Sequence, residues 1–200
     1  MHKFIVLEGL DGSGKTSQAS RLHKHFADKG INCLLTYEPT NEMLGNIARS
    51  VTKSNVKMDN ETLALLFAAD RHEHYVKKIA PTLAAGGMVV CDRYYYSNIV
   101  YQGFDEKSIQ RIFDYNQKVM QTPPHVVFFL DEKPDECHKR LMSSRSETSI
   151  YENMQALTVL YKRYRDLFHR IQKTENIVIV NTTGKNEDDI TELLIGNVNR

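Results

Sequence analysis

Apolar positions along the chain follow two alternating rhythms. Short apolar runs rich in β-branched residues occur at Phe4 to Leu7, Ile31 to Tyr37, Met88 to Cys91, His125 to Leu130 and Ile177 to Val180, and read as buried strands. The segments between them carry apolar residues three and four apart, the spacing of a helix face. Ser17 to Lys29 places Ala19, Leu22 and Phe26 on one side and closes at Gly30, and Met43 to Val51 is a short helix after the breakers Pro39 and Asn41. Asp59 or Asn60 caps a long helix running to about Ala85, with Leu63, Leu66, Phe67 and Tyr75 facing inward and Pro81 as a kink or restart. Residues 94 to 121 read as two helical pieces broken near Gly103, Pro134 to Met142 as a helix, and Glu187 to Val198 as the last one. Ile150 to Thr174 carries the longest stripe: Tyr151, Met154, Leu157, Leu160, Tyr161, Tyr164, Leu167, Phe168 and Ile171.

Five strands alternating with helices predict an α/β fold, a five-stranded parallel sheet with helices on both faces. In such a sheet ligands lie at the carboxyl ends of the strands. With 200 residues, no internal repeat and no linker, the chain reads as one domain, 1–200, interrupted by the polar stretch Ser143 to Ser149.

Composition narrows the partners. The chain has 26 Lys and Arg against 25 Asp and Glu, a formal charge of +1, which calls for neither nucleic acid nor a membrane surface. Cys33, Cys91 and Cys137 are widely spaced and fit no metal-ligand pattern, so they read as reduced, buried thiols. No apolar run reaches membrane-spanning length, and the first residues lead straight into a strand rather than a signal peptide, so a cytoplasmic location is expected.

The sharpest chemistry follows the first strand. Gly9-Leu10-Asp11-Gly12-Ser13-Gly14-Lys15-Thr16-Ser17 has the Gly-x-x-x-x-Gly-Lys-Ser/Thr spacing, set between a strand and a helix. Its glycines let successive N–H groups turn inward around an anion, and the helix start adds its dipole. Lys15 brings a charge to the outer phosphates and the Thr16 hydroxyl is a magnesium ligand. A glycine-rich surface turn gives no reason for Lys-Thr at this offset, so the segment predicts a nucleoside-triphosphate site.

The third strand ends in Asp92-Arg93-Tyr94, followed by Ser97 and Tyr101-Gln102-Gly103. A strand-end carboxylate beside the phosphate loop suits magnesium, directly or through water, or the orientation of an attacking hydroxyl, and Arg93 offers a planar fork matched to a phosphate. The plain alternative is a salt bridge of Asp92 with a basic neighbour. Asp131, at the end of the fourth strand, is a rival acid read mainly as a helix cap. In the long helix, Phe67 and Arg71 are four apart and share a face, an arrangement able to stack on a base and bond its edge. A Phe on an apolar stripe also fits core packing.

Three segments together, Gly9 to Thr16, Leu66-Phe67-Ala68-Ala69-Asp70-Arg71 and Asp92-Arg93-Tyr94-x-x-Ser97-x-x-x-Tyr101-Gln102-Gly103, resemble the thymidylate kinase family in order and separation, over nearly the whole chain. The resemblance implies a P-loop kinase with a mobile lid that moves the γ-phosphate of ATP to dTMP, with magnesium, as a homodimer. By this resemblance Phe67 stacks on thymine, Arg71 bonds its edge, Arg93 clamps the dTMP phosphate, and Asp11 meets the 3′-hydroxyl. Tyr101 excludes a 2′-hydroxyl, Ser97 and Gln102 line the pocket, and Glu38 faces the monophosphate or its metal. Lys15, Asp92, Arg93 and Arg145 are the expected catalytic groups, and Thr16 and Asp92 the metal ligands.

The polar stretch at about 143–149 corresponds to the lid. Family members with a basic residue after the loop acid use it in catalysis; Gly12 stands here, so the chain resembles the class whose lid supplies an arginine, with Arg145 the candidate and Arg140 an alternative. Two departures stand out. The family often has Asp-Arg-Tyr-Glu where this chain has Ser149-Ile150-Tyr151-Glu152, and Arg-Glu-Pro-Gly-Gly-Thr where it has Tyr37-Glu38-Pro39-Thr40; Arg49 is placed to compensate. Other deoxynucleotide or deoxynucleoside kinases, and a nucleotide-dependent switch protein, are the competing readings; an Asn-Lys-x-Asp guanine-reading segment is missing from the sequence.

Overall fold

We describe a computed structural model that covers residues 3–53, 57–120, 122–144 and 153–198. The five apolar runs form β1 (Phe4–Glu8), β2 (Cys33–Tyr37), β3 (Met88–Asp92), β4 (Val126–Asp131) and β5 (Ile177–Asn181). They pair in parallel in the order β2-β3-β1-β4-β5. The register sets Leu7 beside Asp92 and Phe128, so the strands carrying the candidate chemistry end together.

Alternation along the strands divides the core between two faces. Phe4, Val6, Val89, Cys91, Val127 and Phe129 pack with α3 (Asn60–His74), α5 (Tyr95–Gln102), α6 (Glu106–Val119), α7 (Pro134–Ser144) and α8 (Met154–Ile171). Ile5, Leu7, Met88, Val90, Val126 and Phe128 pack instead with α1 (Lys15–Asp28) and α9 (Glu187–Val198). The expected parallel sheet with both faces covered is therefore found. The α8 stripe buries Leu157, Leu160, Tyr164, Leu167 and Phe168, but Met154, on the first helical residue, is 41% exposed.

The long helix 59–85 differs in detail. Asp59 caps it, accepting from the Glu61 and Thr62 N–H groups. It then runs through a π-helical turn, Tyr75–Ile79, into α4 (Ala80–Ala84), and the Ala80 N–H reaches the carbonyl of Tyr75, five residues back. The register shift lies just ahead of Pro81, whose ring has no N–H and crowds the preceding turn. Asp131 is the last residue of β4 rather than a cap, because α7 begins at Pro134; its carboxylate takes the Tyr161 hydroxyl. Cys91 and Cys137 are buried and Cys33 is half-buried, all reduced. No helix among the described residues is long and apolar enough to cross a membrane.

Candidate active site

The phosphate loop joins β1 to α1. Gly9, Gly12 and Gly14 have φ of 150°, 83° and 92°, open to glycine at little cost. At Gly12 the demand is double, because a Cβ there would lie 2.5 Å from the Cys137 carbonyl oxygen. Lys15 is the first residue of α1 and is buried, its Nζ donating to the Leu10 carbonyl at 2.7 Å. Burial and the charge of Arg93 lower its pKa, against the pull of Asp11 and Asp92. Leu10 and Ser13 are buried; Thr16 and Ser17 are exposed in the first turn of α1.

The Thr16 hydroxyl donates to Asp92 Oδ2 at 2.6 Å. Asp92 Oδ1 is buried and has no partner among the described residues. A hydroxyl oxygen and a carboxylate with one oxygen to spare form a hard-oxygen pair suited to a magnesium ion that keeps waters and phosphate oxygens as its other ligands. No cluster of three His, Cys, Asp or Glu among the described residues offers a protein cage for a metal.

One residue further on, Arg93 turns the other way. Its φ of 71° is left-handed, unusual for a side-chain-bearing residue. Its Nη2 reaches Asp11 Oδ1 at 2.7 Å and the Tyr101 hydroxyl at 3.2 Å, and its Nη1 reaches Ser97 Oγ at 2.8 Å and the Tyr164 hydroxyl at 3.2 Å. The Tyr101 hydroxyl also donates to Asp11 Oδ2 at 3.2 Å. Burial opposes ionisation of Asp11, yet the charges of Arg93 and Lys15 outweigh it and hold the carboxyl well below the usual carboxylate range. Thus Asp11, Arg93, Ser97 and Tyr101, drawn from two distant segments, meet in one cluster.

A second network runs underneath. Gln102 Oε1 accepts from Asn98 Nδ2 at 3.2 Å, Asn98 Oδ1 accepts from Asn116 Nδ2 at 3.0 Å, and Asn116 Oδ1 accepts from Arg71 Nη1. Arg71 Nη2 pairs with Glu38 Oε2 at 2.7 Å; Glu38 Oε1 lies 3.0 Å from His74 Nδ1, and His74 Nε2 lies 2.6 Å from Thr36 Oγ1. Glu38 is tied to the metal-side strand too, its N–H donating to the Asp92 carbonyl at 3.0 Å. Arg71 is 2% exposed, stacks its guanidinium 5.2 Å from the Tyr94 ring centre, and leaves Nε without a partner among the described residues. Phe67 is half-buried on the same helix face. Gln102 borders a cavity of about 320 Å³ with Phe104, Ser108, Arg111, Ile112 and Tyr115.

The sheet edge therefore presents a strand–glycine loop–helix unit carrying Lys15, a Thr16–Asp92 pair, and an Arg93–Asp11 pair beside them. A family model for thymidylate kinase matches residues 7–193. The chain belongs to the thymidylate kinase family. Among its relatives, a probable thymidylate kinase of Methanococcus aeolicus is 38% identical over 197 residues, 98% of this chain and 95% of that protein. One from Methanocaldococcus jannaschii is 38% identical over 196 residues, 96% of this chain and 94% of that protein. The crystal structure of the thymidylate kinase from Ehrlichia chaffeensis matches with a TM-score of 0.77 at 26% identity, covering 99% of this chain and 98% of that one. The fold is that of a P-loop kinase, and thymidylate kinase homology makes the chain a phosphotransferase.

Against that family pattern, several placements differ from the sequence reading. Glu38 does not stand open to an incoming phosphate; its carboxylate is held by Arg71 and His74. Arg49, placed in the sequence reading to compensate for the missing arginine, binds with its guanidinium the carbonyls of Pro39 and Thr40 and the side-chain amide oxygens of Asn41 and Asn46. Arg145 lies outside the described residues, as do 146–152. Arg140, the alternative, donates to the Gly12 carbonyl at 3.2 Å and pairs with the buried Glu132 at 2.8 Å, touching the phosphate loop itself. Sequence reasoning missed Glu8, Tyr164, Asn98 and Asn116. The available signal was a polar side chain at a core position: Glu8 ends an apolar strand, and Asn116 sits one turn after buried Ile112.

Proposed function

We propose that this protein is a thymidylate kinase that transfers the γ-phosphate of ATP to dTMP, giving dTDP. The observation that carries the reading is the juxtaposition at the end of β3. Asp92 bonds Thr16 of the phosphate loop, while Arg93, its neighbour, pairs with Asp11 and fills the space beside it.

In this reading the backbone amides of Gly9 to Ser17 and the Lys15 ammonium hold the ATP phosphates. Lys15 leaves the Leu10 carbonyl for the outer phosphates. Thr16 and Asp92 hold Mg2+, which when bound shields the crowded phosphate oxygens. Arg93 turns part of its fork from Asp11 to the acceptor phosphate, and Asp11 orients the deoxyribose beneath Tyr101. Phe67 stacks on the base, with the Nε of Arg71 at its edge, and Ser97 and Gln102 line the pocket. Glu38 acts at one remove, fixing Arg71. Arg145, carried on a lid at about 143–149, supplies positive charge as phosphate oxygens close up. The protein's contribution is positioning and charge, since phosphoryl transfer needs little covalent chemistry from side chains.

The same reading takes the whole chain, 1–200, as one cytoplasmic kinase unit that pairs as a homodimer, with no nucleic-acid or membrane partner. The exposed apolar side chains Met43, Ile47, Leu65 and Val76, on α2 (Met43–Lys53), α3 and the π-turn, support a partner surface there. The test is direct: purified protein with ATP and Mg2+ converts dTMP to dTDP. No turnover with dTMP, alongside turnover with thymidine or another monophosphate, rejects the acceptor assignment. Sedimentation as a monomer at micromolar concentration rejects the dimer.

A further inference from the structure

Glu8 is the last residue of β1, 0% exposed, and directly precedes the phosphate loop. A buried carboxylate needs partners, and this one has four. Oε1 accepts from the Tyr94 N–H at 2.8 Å and the Ser97 N–H at 3.2 Å. Oε2 accepts from Ser97 Oγ at 2.7 Å and the Tyr164 hydroxyl at 3.0 Å. The first pair caps α5, whose own capping position, Tyr94, provides no side-chain cap. The cap fixes the backbone on the far side of Arg93, while the Arg93 N–H is held by the Leu7 carbonyl at 2.9 Å. The left-handed kink at Arg93 is thus gripped from both sides by β1.

The second pair sets polarity. A hydroxyl has one proton. The Ser97 and Tyr164 hydroxyl oxygens also lie 2.9 Å from each other, a contact in which either could donate; with both protons directed at the Glu8 carboxylate instead, lone pairs of both oxygens face Arg93 Nη1, which donates to each. We propose that Glu8 is a positioning residue that orients Arg93 toward the acceptor phosphate, by capping the kink that carries Arg93 and by turning the Ser97 and Tyr164 hydroxyls into acceptors. Burial pushes the Glu8 carboxyl up from its ordinary value, with the Arg93 charge and these hydrogen bonds restraining the rise.

This inference rests on the assignment of Arg93 to the acceptor phosphate. Glu8→Gln tests it with no change of shape. A glutamine oxygen still accepts from the two backbone N–H groups, but its NH2 donates to both hydroxyls; one displaced proton can pass between the two oxygens, and the other is left facing the guanidinium. Four proteins suffice: wild type, Glu8→Gln, Arg93→Ala and the double variant, each titrated calorimetrically with dTMP and assayed for ATP KM. Glu8→Gln is expected to weaken dTMP binding about tenfold or more with ATP KM within about twofold, and to add less than about twofold once Arg93 is gone. Glu8→Asp keeps the charge but retracts it by one methylene, and is expected to lose dTMP affinity as well. An equal loss from Glu8→Gln with and without Arg93, a parallel rise in ATP KM, or wild-type affinity in Glu8→Asp overturns the inference while leaving the kinase assignment intact. Wild-type protein that neither binds nor turns over dTMP overturns both.

Discussion

The proposed donor and acceptor halves of this site are built by opposite strategies. The donor half is local: residues 9 to 17, consecutive in the chain, bend so that backbone amides and one lysine converge. The acceptor half takes Asp11 from that same loop and Arg93 from the end of β3, and adds side chains from β1, β2, α3, α5, α6 and α8, as far apart as Glu8 and Tyr164. A backbone nest tolerates changes of neighbour, since its donors are present in every residue except proline. A side-chain network does not, because each buried member leaves its partner unsatisfied when removed.

That contrast yields graded tests. The largest effects belong to the two cations. Lys15→Ala and Arg93→Ala are each expected to lower kcat/KM about 10²–10³-fold, as loss of a charge-assisted phosphate contact requires. Only Arg93→Ala should weaken binding of dTMP on its own. If it raises ATP KM equally, the two halves are not separate.

Next is Arg71→Leu, which strands the Glu38 carboxylate in the interior. Urea titration should show a loss of about 3–5 kcal/mol, the cost of breaking a buried pair by removing one partner. A loss under about 1 kcal/mol would mean that water reaches Glu38. In the donor half, Gly12→Ala is expected to cost about 1–3 kcal/mol, from a left-handed backbone and the clash with the Cys137 carbonyl. Unchanged stability there would show that the loop relaxes freely.

The Asp11–Arg93 pair gives a pH signature. The folded-state pKa of Asp11 is depressed, so its contribution to stability is present above the unfolded value, about 3.9, and fades as pH falls through that value toward the folded one. The Tm difference between wild type and Asp11→Asn should therefore shrink between pH 6 and pH 3. A gap that widens on acidification contradicts the pairing. Smallest is thiol reactivity: burial pushes the Cys33 thiol up to about 11 and the Cys137 thiol up to about 12. Iodoacetamide at neutral pH should label the folded protein far more slowly than the urea-unfolded one. Fast labelling of native protein would show these positions opening.

The same contrast explains what the sequence disclosed. The phosphate loop and the five-strand alternation are periodic or consecutive features, visible in a single line of residues. Arg71 was legible as a neighbour of Phe67 one turn away, but its burial against Glu38 and Asn116 depends on β2 and α6 arriving beside α3. The contacts of Glu38 were hidden for that reason: nothing near it in the chain announces Arg71 or His74 as its partners. Asp131 reads as a cap from its pattern because the helix after it begins only three residues later, a distance that periodicity does not resolve.

One feature of β3 constrains how this enzyme can change. Asp92 and Arg93 are joined by a single peptide, about 3.8 Å from Cα to Cα, yet one bonds Thr16 and the other Asp11, and in the proposed mechanism they serve opposite reactants. Any drift of that strand end would carry the carboxylate proposed to hold the cation and the guanidinium proposed to grip the phosphate together. The spacing between the two reactants is thus written into covalent geometry, leaving the surrounding helices free to diverge while the gap the phosphoryl group must cross stays constant.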